Sequence, residues 1–280
     1  MSRLIPANGS EGYILRSAAF LKARVLYNMM YSLHKAPHQG FFACDGSLLA
    51  LTAPEKPMWI WCDPGLDEKE KACLLQELAL RCAASKDPLD ETVLDPHSAD
   101  FFNSPYLRCW NRMHPEKLKR RTRFFYSYFN LRPAKVELKV GRLYIPSISD
   151  AKEISSLVAG FNKDALGCSF SASQAFLAAE ALISSKRMLC WKDESIACMC
   201  IITACCENIS RLNYIYTPAH LRGKGYAQAL ASSASAIVLR QGFLPVLYAD
   251  AGNAPANLAY RKAGFSPAGV LRKTKYIPDK

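Results

Sequence analysis

Arg222-Gly223-Lys224-Gly225 packs two glycines and two cations into four residues. The stretch follows a run with strand character, Arg211 to Tyr216. It opens a helix whose Ala227, Leu230, Ala231, Ala234 and Val238 fall on one face, and Gly242 stands where a left-handed C-cap is expected. A glycine-rich strand-to-helix turn suits phosphate chemistry. The first helical turn has N–H groups without intrahelical partners and a partial positive charge. Glycine lets the backbone approach an anion with no Cβ in the way. Arg222 and Lys224 add full positive charge.

Two designs use this physics. A dinucleotide fold needs G-x-G-x-x-G and an acid about 20 residues on. Gly223 and Gly225 supply the first two glycines, but Gln228 occupies the third position, which disfavours a nicotinamide enzyme. The other design is the acetyl-CoA loop Q/R-x-x-G-x-G/A of the GNAT acetyltransferases. His220-Leu221-Arg222-Gly223-Lys224-Gly225 resembles it, with His220 at the first position. One helix and one strand later comes Asn253-Ala254-Pro255-Ala256-Asn257-Leu258-Ala259-Tyr260-Arg261-Lys262-Ala263-Gly264-Phe265. It resembles the second GNAT signature, N-x-x-A-x-x-L-Y-x-K-x-G-F, with Ala259 in place of Leu. The resemblance covers about residues 136–280.

The resemblance implies an α/β (α+β) fold with a mixed, mostly antiparallel sheet flanked by helices, and acetyl-CoA as co-substrate. It implies that backbone groups of Ile215, Tyr216 and Thr217 hold the pantetheine arm. The N–H groups of Arg222, Gly223, Lys224, Gly225, Tyr226 and Ala227 would hold the pyrophosphate. Asn253 would touch the pantetheine arm, and its type and place equally suit a helix cap. Tyr260 would be the general acid at the CoA sulfur, and it equally suits packing beside Phe265. The chemistry is direct acetyl transfer to a small-molecule or peptide amine. The general base is not assigned by sequence; Glu207 and His220 are the nearby candidates. Two other readings stay open: a non-catalytic CoA-binding or CoA-sensing protein, and a nucleic-acid-associated protein acting through residues 112–123.

The elements that position these residues read as follows. Asp150 to Glu153 starts a helix with Ile154, Leu157, Val158 and Phe161 as its buried stripe. A second helix covers Ala172 to Ile183. Strands over Met188–Trp191, Ile196–Cys206 and Arg211–Thr217 form an antiparallel meander, and Leu244–Asp250 and Gly269–Ile277 flank the last helix. Glu137 to Tyr144 alternates like strands around Gly141. Upstream, residues 12–34 read as one long amphipathic helix. Asp45-Gly46 between apolar runs reads as a type I′ hairpin, Met58–Trp61 as a strand and Asp67–Cys82 as a helix. Residues 83–107, rich in Pro, Asp and Ser, read mostly as loop. This divides the chain into an N-terminal α/β domain, 1–135, and a GNAT-like domain, 136–280. The first resembles a degenerate GNAT half that binds no CoA, or is an unrelated cap.

The chain has 280 residues, enough for two domains. No apolar run reaches the roughly 20 residues a membrane helix takes, and no apolar segment of signal-peptide length opens the chain, so a cytoplasmic location is expected. Eleven cysteines with no C-x-x-C pair read as small buried hydrophobes, and no metal is expected. The formal net charge of +12 is concentrated in residues 108–135, which hold nine basic and one acidic side chain. Basic residues beside Phe124-Phe125-Tyr126 can mark nucleic-acid binding. No zinc-finger or RNP-type motif accompanies them, and a solvated basic face is expected instead.

Overall fold

The computed structural model describes residues 3–136, 140–206 and 208–279. The chain divides into two compact units. One comprises Met1–Ser127, Asp250–Gly252 and Ala268–Lys280; the other comprises Tyr128–Ala249 and Asn253–Pro267.

The first unit begins with β1 (Leu4–Pro6), a 3-10 turn over Ser10–Arg16, α1 (Ala18–Ala23) and α2 (Met29–Lys35). The single helix expected over 12–34 is therefore broken. Ser17 takes an extended ψ of 150° and its side chain accepts the Phe20 N–H, so it ends one helix and caps the next. Then follow β2 (Gln39–Ala43), β3 (Leu48–Thr52), β4 (Met58–Cys62) and α3 (Glu68–Ala83). The hairpin forms at the expected place, with Phe42 opposite Leu49, but its turn is not type I′. That turn needs two residues with positive φ, and only Gly46 has one.

β5 (Glu91–Leu94) and α4 (Pro96–Met113) replace the loop expected over 83–107. The residues that suggested a loop build the start of a helix. Asp95 caps it by accepting the Ser98 N–H, and Pro96 sits at N1, where a missing N–H costs nothing. β6 (Leu118–Phe129) carries the basic stretch. The strand order in this unit is β1-β2-β3-β4-β5-β12, where β12 (Ser266–Pro278) is the last strand of the chain. β4 pairs parallel with β5, and β12 antiparallel with β5. Leu74, Leu78, Phe102, Tyr106 and Trp110 form its core with Tyr276 of β12. The Tyr276 hydroxyl lies 3.2 Å from Thr92 Oγ1 and donates to Asn103 Oδ1 at 2.5 Å.

The second unit runs β7 (Arg142–Tyr144), α5 (Ala151–Phe161), α6 (Ala172–Ser184), β8 (Met188–Lys192), β9 (Ile196–Cys206), β10 (Ile209–Tyr216), α7 (Tyr226–Arg240), β11 (Leu244–Asp250) and α8 (Ala254–Lys262). Part of the strand expected from Glu137, and Glu207 itself, lie outside the described residues. The strand order is β11-β10-β9-β8-β7, antiparallel except for the parallel β10–β11 pair. Ile154, Leu157 and Val158 of α5 pack with Ala179 and Ile183 of α6 against Met188, Cys190, Met199 and Ile201, which is the stripe the sequence predicts. The fold class is thus the expected mixed, mostly antiparallel sheet flanked by helices.

The two units share one element order. Each runs strand, helical segments, a three-stranded meander, helix, parallel strand, helix. No sequence repeat announces it.

Candidate active site

The site is built on β10 and its exit. β10 pairs parallel with β11 only from Ile209↔Leu244 to Arg211↔Val246, and both strands then run on without pairing to each other. On its other edge β10 bulges. Asn213 faces Ile201 and Tyr216 faces Met199, so three steps on β10 match two on β9. Tyr214 takes a φ of 54°, in the left-handed region that non-glycine residues rarely enter. Its ring packs on Phe161, with centroids 4.6 Å apart. Parted strands and a bulge interrupt the regular ladder around Tyr214 and Ile215. Thr217 follows, and its Oγ1 is buried with no nitrogen or oxygen partner; the Cys198 thiol lies beside it.

The loop then turns through a short 3-10 segment, Ala219–Leu221, to Arg222, Gly223, Lys224 and Gly225. Gly223 and Gly225 have φ of 82° and 85°, which favours glycine at both. Gly225 is the N-cap of α7, and no side chain caps that helix. The first bond the loop closes into the helix is Ala229 N–H to Gly225 O. The N–H groups of Gly223, Lys224, Gly225, Tyr226 and Ala227 have no acceptor among the described residues. Five consecutive donors at the positive end of a 15-residue helix are an anion site in physical terms.

Arg222 is held rather than loose. Its Nη2 lies 2.7 Å from Asp164 Oδ2, and its Nε donates to Thr217 O at 3.0 Å. Tyr216 donates its hydroxyl to the same Asp164 oxygen at 3.1 Å. The Arg222 and Tyr216 bonds hold the Asp164 carboxyl below its usual range. Burial, then Asp164, push the Tyr216 phenol up. Gly160 makes room for this cluster, since a Cβ there would stand 2.5 Å from Tyr216 Oη. Tyr226 turns its side chain elsewhere, donating to Asp193 Oδ2 at 2.8 Å. Lys224 and His220 are exposed.

Asn253 is the N-cap of α8, its side chain accepting the Ala256 N–H at 3.2 Å. Tyr260, two residues before the end of α8, is buried to 8% exposure. Its ring meets Phe265 edge-on at 6.2 Å and Tyr128 at 6.4 Å. Its hydroxyl makes no hydrogen bond among the described residues. Burial pushes its phenol pKa up, with Cys198 and Cys200 adding to the shift. Cys198 therefore neighbours both Thr217 and Tyr260, and its own thiol is pushed up to about 12 by burial. It is a packing thiol, not a nucleophile.

Sequence reasoning missed Asp164, Gly160, Cys198 and the β10 bulge. Gly160 left a signal, a glycine inside an amphipathic helix. Asp164 and Cys198 left none, because their partners are distant in sequence.

Comparisons with known proteins agree with the fold. Residues 197–276 match the family model described as FR47-like protein. A GCN5-related N-acetyltransferase from Sphaerobacter thermophilus superposes with a TM-score of 0.62 at 12% identity, covering 99% of this chain and 96% of that one. An acetyltransferase of the GNAT family from Colwellia psychrerythraea gives 0.58 at 12% identity over 99% and 100% of the two chains. A tandem GNAT protein from the clavulanic acid biosynthesis pathway gives 0.53 at 12% identity over 98% of each. At such identities the likeness is one of fold. No curated protein matches the chain by sequence. The fold is thus that of the GNAT acetyltransferases it superposes on. The FR47-like match spans the segment from β9 to β12.

Proposed function

We propose that the chain is an acetyl-CoA-dependent N-acetyltransferase acting on a small-molecule or peptide amine, with its chemistry in the second unit. The observation that carries this is the run of unpartnered N–H groups from Gly223 to Ala227, reached through the parting of β10 and β11. The pyrophosphate of CoA fits that run, since the N–H groups have no acceptor and no Cβ obstructs Gly223 or Gly225. Arg222 and Lys224 add charge-assisted contacts, each worth about 1.5–3 kcal/mol. The pantetheine arm fits the wedge beside Ile215, Tyr216 and Thr217, where the buried Thr217 hydroxyl waits for a partner. Asn253 spends its carboxamide on the helix cap, which fixes the start of α8 and hence Tyr260. Tyr260 offers a free hydroxyl to the leaving sulfur, and its raised pKa keeps it protonated throughout the physiological range.

The equivalent turn of the first unit supports the view that only one unit binds CoA. Asp63 Oδ1 accepts the Gly65 N–H at 2.8 Å, and Asp67 caps α3 in a capping box with Glu70. There the helix start is filled by the chain's own carboxylates, which also repel phosphate. Among the described residues no helix is long and apolar enough to cross a membrane, and we place the reaction in the cytoplasm.

Acetyl-CoA is expected to raise the melting temperature, because it binds the folded state. In Gly225→Val the shift, measured against the variant's own melting point, is expected to vanish. A nicotinamide dinucleotide giving the larger shift would overturn the proposal. Release of free thiol with a panel of amines separates a transferase from a protein that only binds CoA.

A further inference from the structure

Among the described residues, one group of histidine and carboxylate side chains could hold a metal ion, and it lies in the first unit. Glu11 stands in the Ser10–Arg16 turn, His34 near the end of α2 and His38 just before β2. The side chain of Glu11 is 0% exposed, that of His38 9% and that of His34 25%. Glu11 Oε1 lies 2.7 Å from His38 Nε2 and 3.2 Å from His34 Nδ1. Glu11 Oε2 is already taken, accepting the N–H groups of Asn8 at 3.1 Å and Gly9 at 2.9 Å. Burial alone would raise the Glu11 carboxyl, but bonds from its own N–H, His38, Asn8 and Gly9 outweigh it, and the group stays below its ordinary range as a carboxylate.

Two features bear on what Glu11 Oε1 is arranged for. His38 Nδ1 lies 2.8 Å from Ala36 O. A carbonyl oxygen only accepts, so Nδ1 carries a hydrogen, and in the neutral ring Nε2 is a bare lone pair. Nε2 faces a carboxylate oxygen, another acceptor, so the pair takes either a shared proton or a metal ion. A histidine whose second nitrogen donates to a backbone carbonyl is the arrangement that fixes the tautomer of metal ligands. The other feature is His34. A bridging proton needs only Glu11 and His38, yet His34 Nδ1 converges on the same oxygen from a separate helix. Gly12 clears its place, since a Cβ there would stand 2.9 Å from His34 Nε2.

We propose that Glu11, His34 and His38 form a binding site for a divalent first-row transition ion, zinc foremost, with a water completing the coordination. The three donor atoms lie within 4.8 Å of one another. Zinc with bonds of about 2.0–2.1 Å holds tetrahedral donors about 3.3 Å apart. The His34–Glu11 pair already has that spacing, and the His38–Glu11 pair opens by about 0.6 Å on binding. Nitrogen and oxygen donors without thiolate suit zinc, cobalt and nickel rather than copper(I). The ion would tie the Ser10–Arg16 turn to α2 and the approach to β2, a structural staple for the first unit. The expectation of no metal rests on cysteine spacing, and no cysteine belongs to this set.

The test uses the full chain, stripped with chelator and dialysed. Cobalt(II) is expected to bind at one equivalent with visible d–d absorption and to be displaced by zinc. Zinc well above its dissociation constant is expected to raise the melting temperature by several degrees. His34→Asn, at the most exposed ligand, is expected to stay folded by circular dichroism and lose at least tenfold in zinc affinity; Glu11→Gln is expected to lose more. No cobalt spectrum and no zinc shift in the wild type would overturn the proposal and leave a proton-bridged cluster. Undiminished zinc affinity in His34→Asn would also overturn it, placing the metal on exposed thiols such as Cys44 or Cys73.

Discussion

At the scale of the residue, the sharpest question concerns Tyr260. Its ring is locked between Tyr128 and Phe265 while its hydroxyl is free of protein partners. By contrast, Tyr128 beside it donates to Asn257 Oδ1 at 3.2 Å and is occupied. A hydrogen bond to the sulfur strengthens as the thiolate forms, so it belongs to the transition state more than to the ground state. Tyr260→Phe is expected to lower kcat by about 10- to 1,000-fold, the range seen on losing a general acid or a charge-stabilising donor. KM for acetyl-CoA should hold, and stability should fall by no more than about 1 kcal/mol, because the ring remains. Normal turnover in the Phe variant would reduce Tyr260 to core packing.

At the scale of the element, the site depends on α5 and β10 meeting correctly. α5 accepts a glycine at position 160 because the Tyr216 ring lies against it. Alanine there forces that ring aside and breaks its bond to Asp164, which also holds Arg222. Gly160→Ala is therefore expected to raise KM for acetyl-CoA several-fold. Its stability should change by no more than about 1 kcal/mol, since alanine favours the helix by about that amount. Steady-state kinetics and urea unfolding together check this, and an unchanged KM would separate the Asp164 cluster from cofactor binding. The same scale explains the error over 83–107. Pro, Asp and Ser mark helix starts as readily as loops, and only the packing of Phe102, Tyr106 and Trp110 into the core decides between them.

At the scale of the whole molecule, the positive charge has a local explanation. Lys119 pairs with Asp279 at 3.2 Å, and Arg120 lies 3.7 Å from Asp100, which also takes Arg272 at 2.9 Å. Phe124 is exposed, but Tyr128 is buried, so the aromatics beside the basic run do not form one open stacking surface. The solvated-face reading predicts weak binding of duplex or single-stranded nucleic acid that vanishes steeply with salt. A filter-binding titration measures it. Sub-micromolar affinity at physiological salt, lost when Lys119, Arg120 and Arg121 are neutralised, would overturn it.

The sequence by itself determined what is local. The stretch from Asn253 to Phe265 could be read through its resemblance to a family signature, and the loop from His220 to Gly225 and the helix after it because turn geometry, capping and phosphate affinity act over a few residues. The stripe of α5 and the meander β8-β9-β10 were legible for the same reason: their periods repeat along the chain. Only the tertiary structure decided what depends on distant partners. The repeated element order is carried by topology and not by a sequence repeat. The place of β12 against β5 rests on strand pairing across more than 170 residues of chain. Asp164 meets Arg222, and Glu11 meets His34 and His38, across separate elements. No spacing rule reaches these pairs, because the fold, not the sequence interval, sets the distance between their atoms.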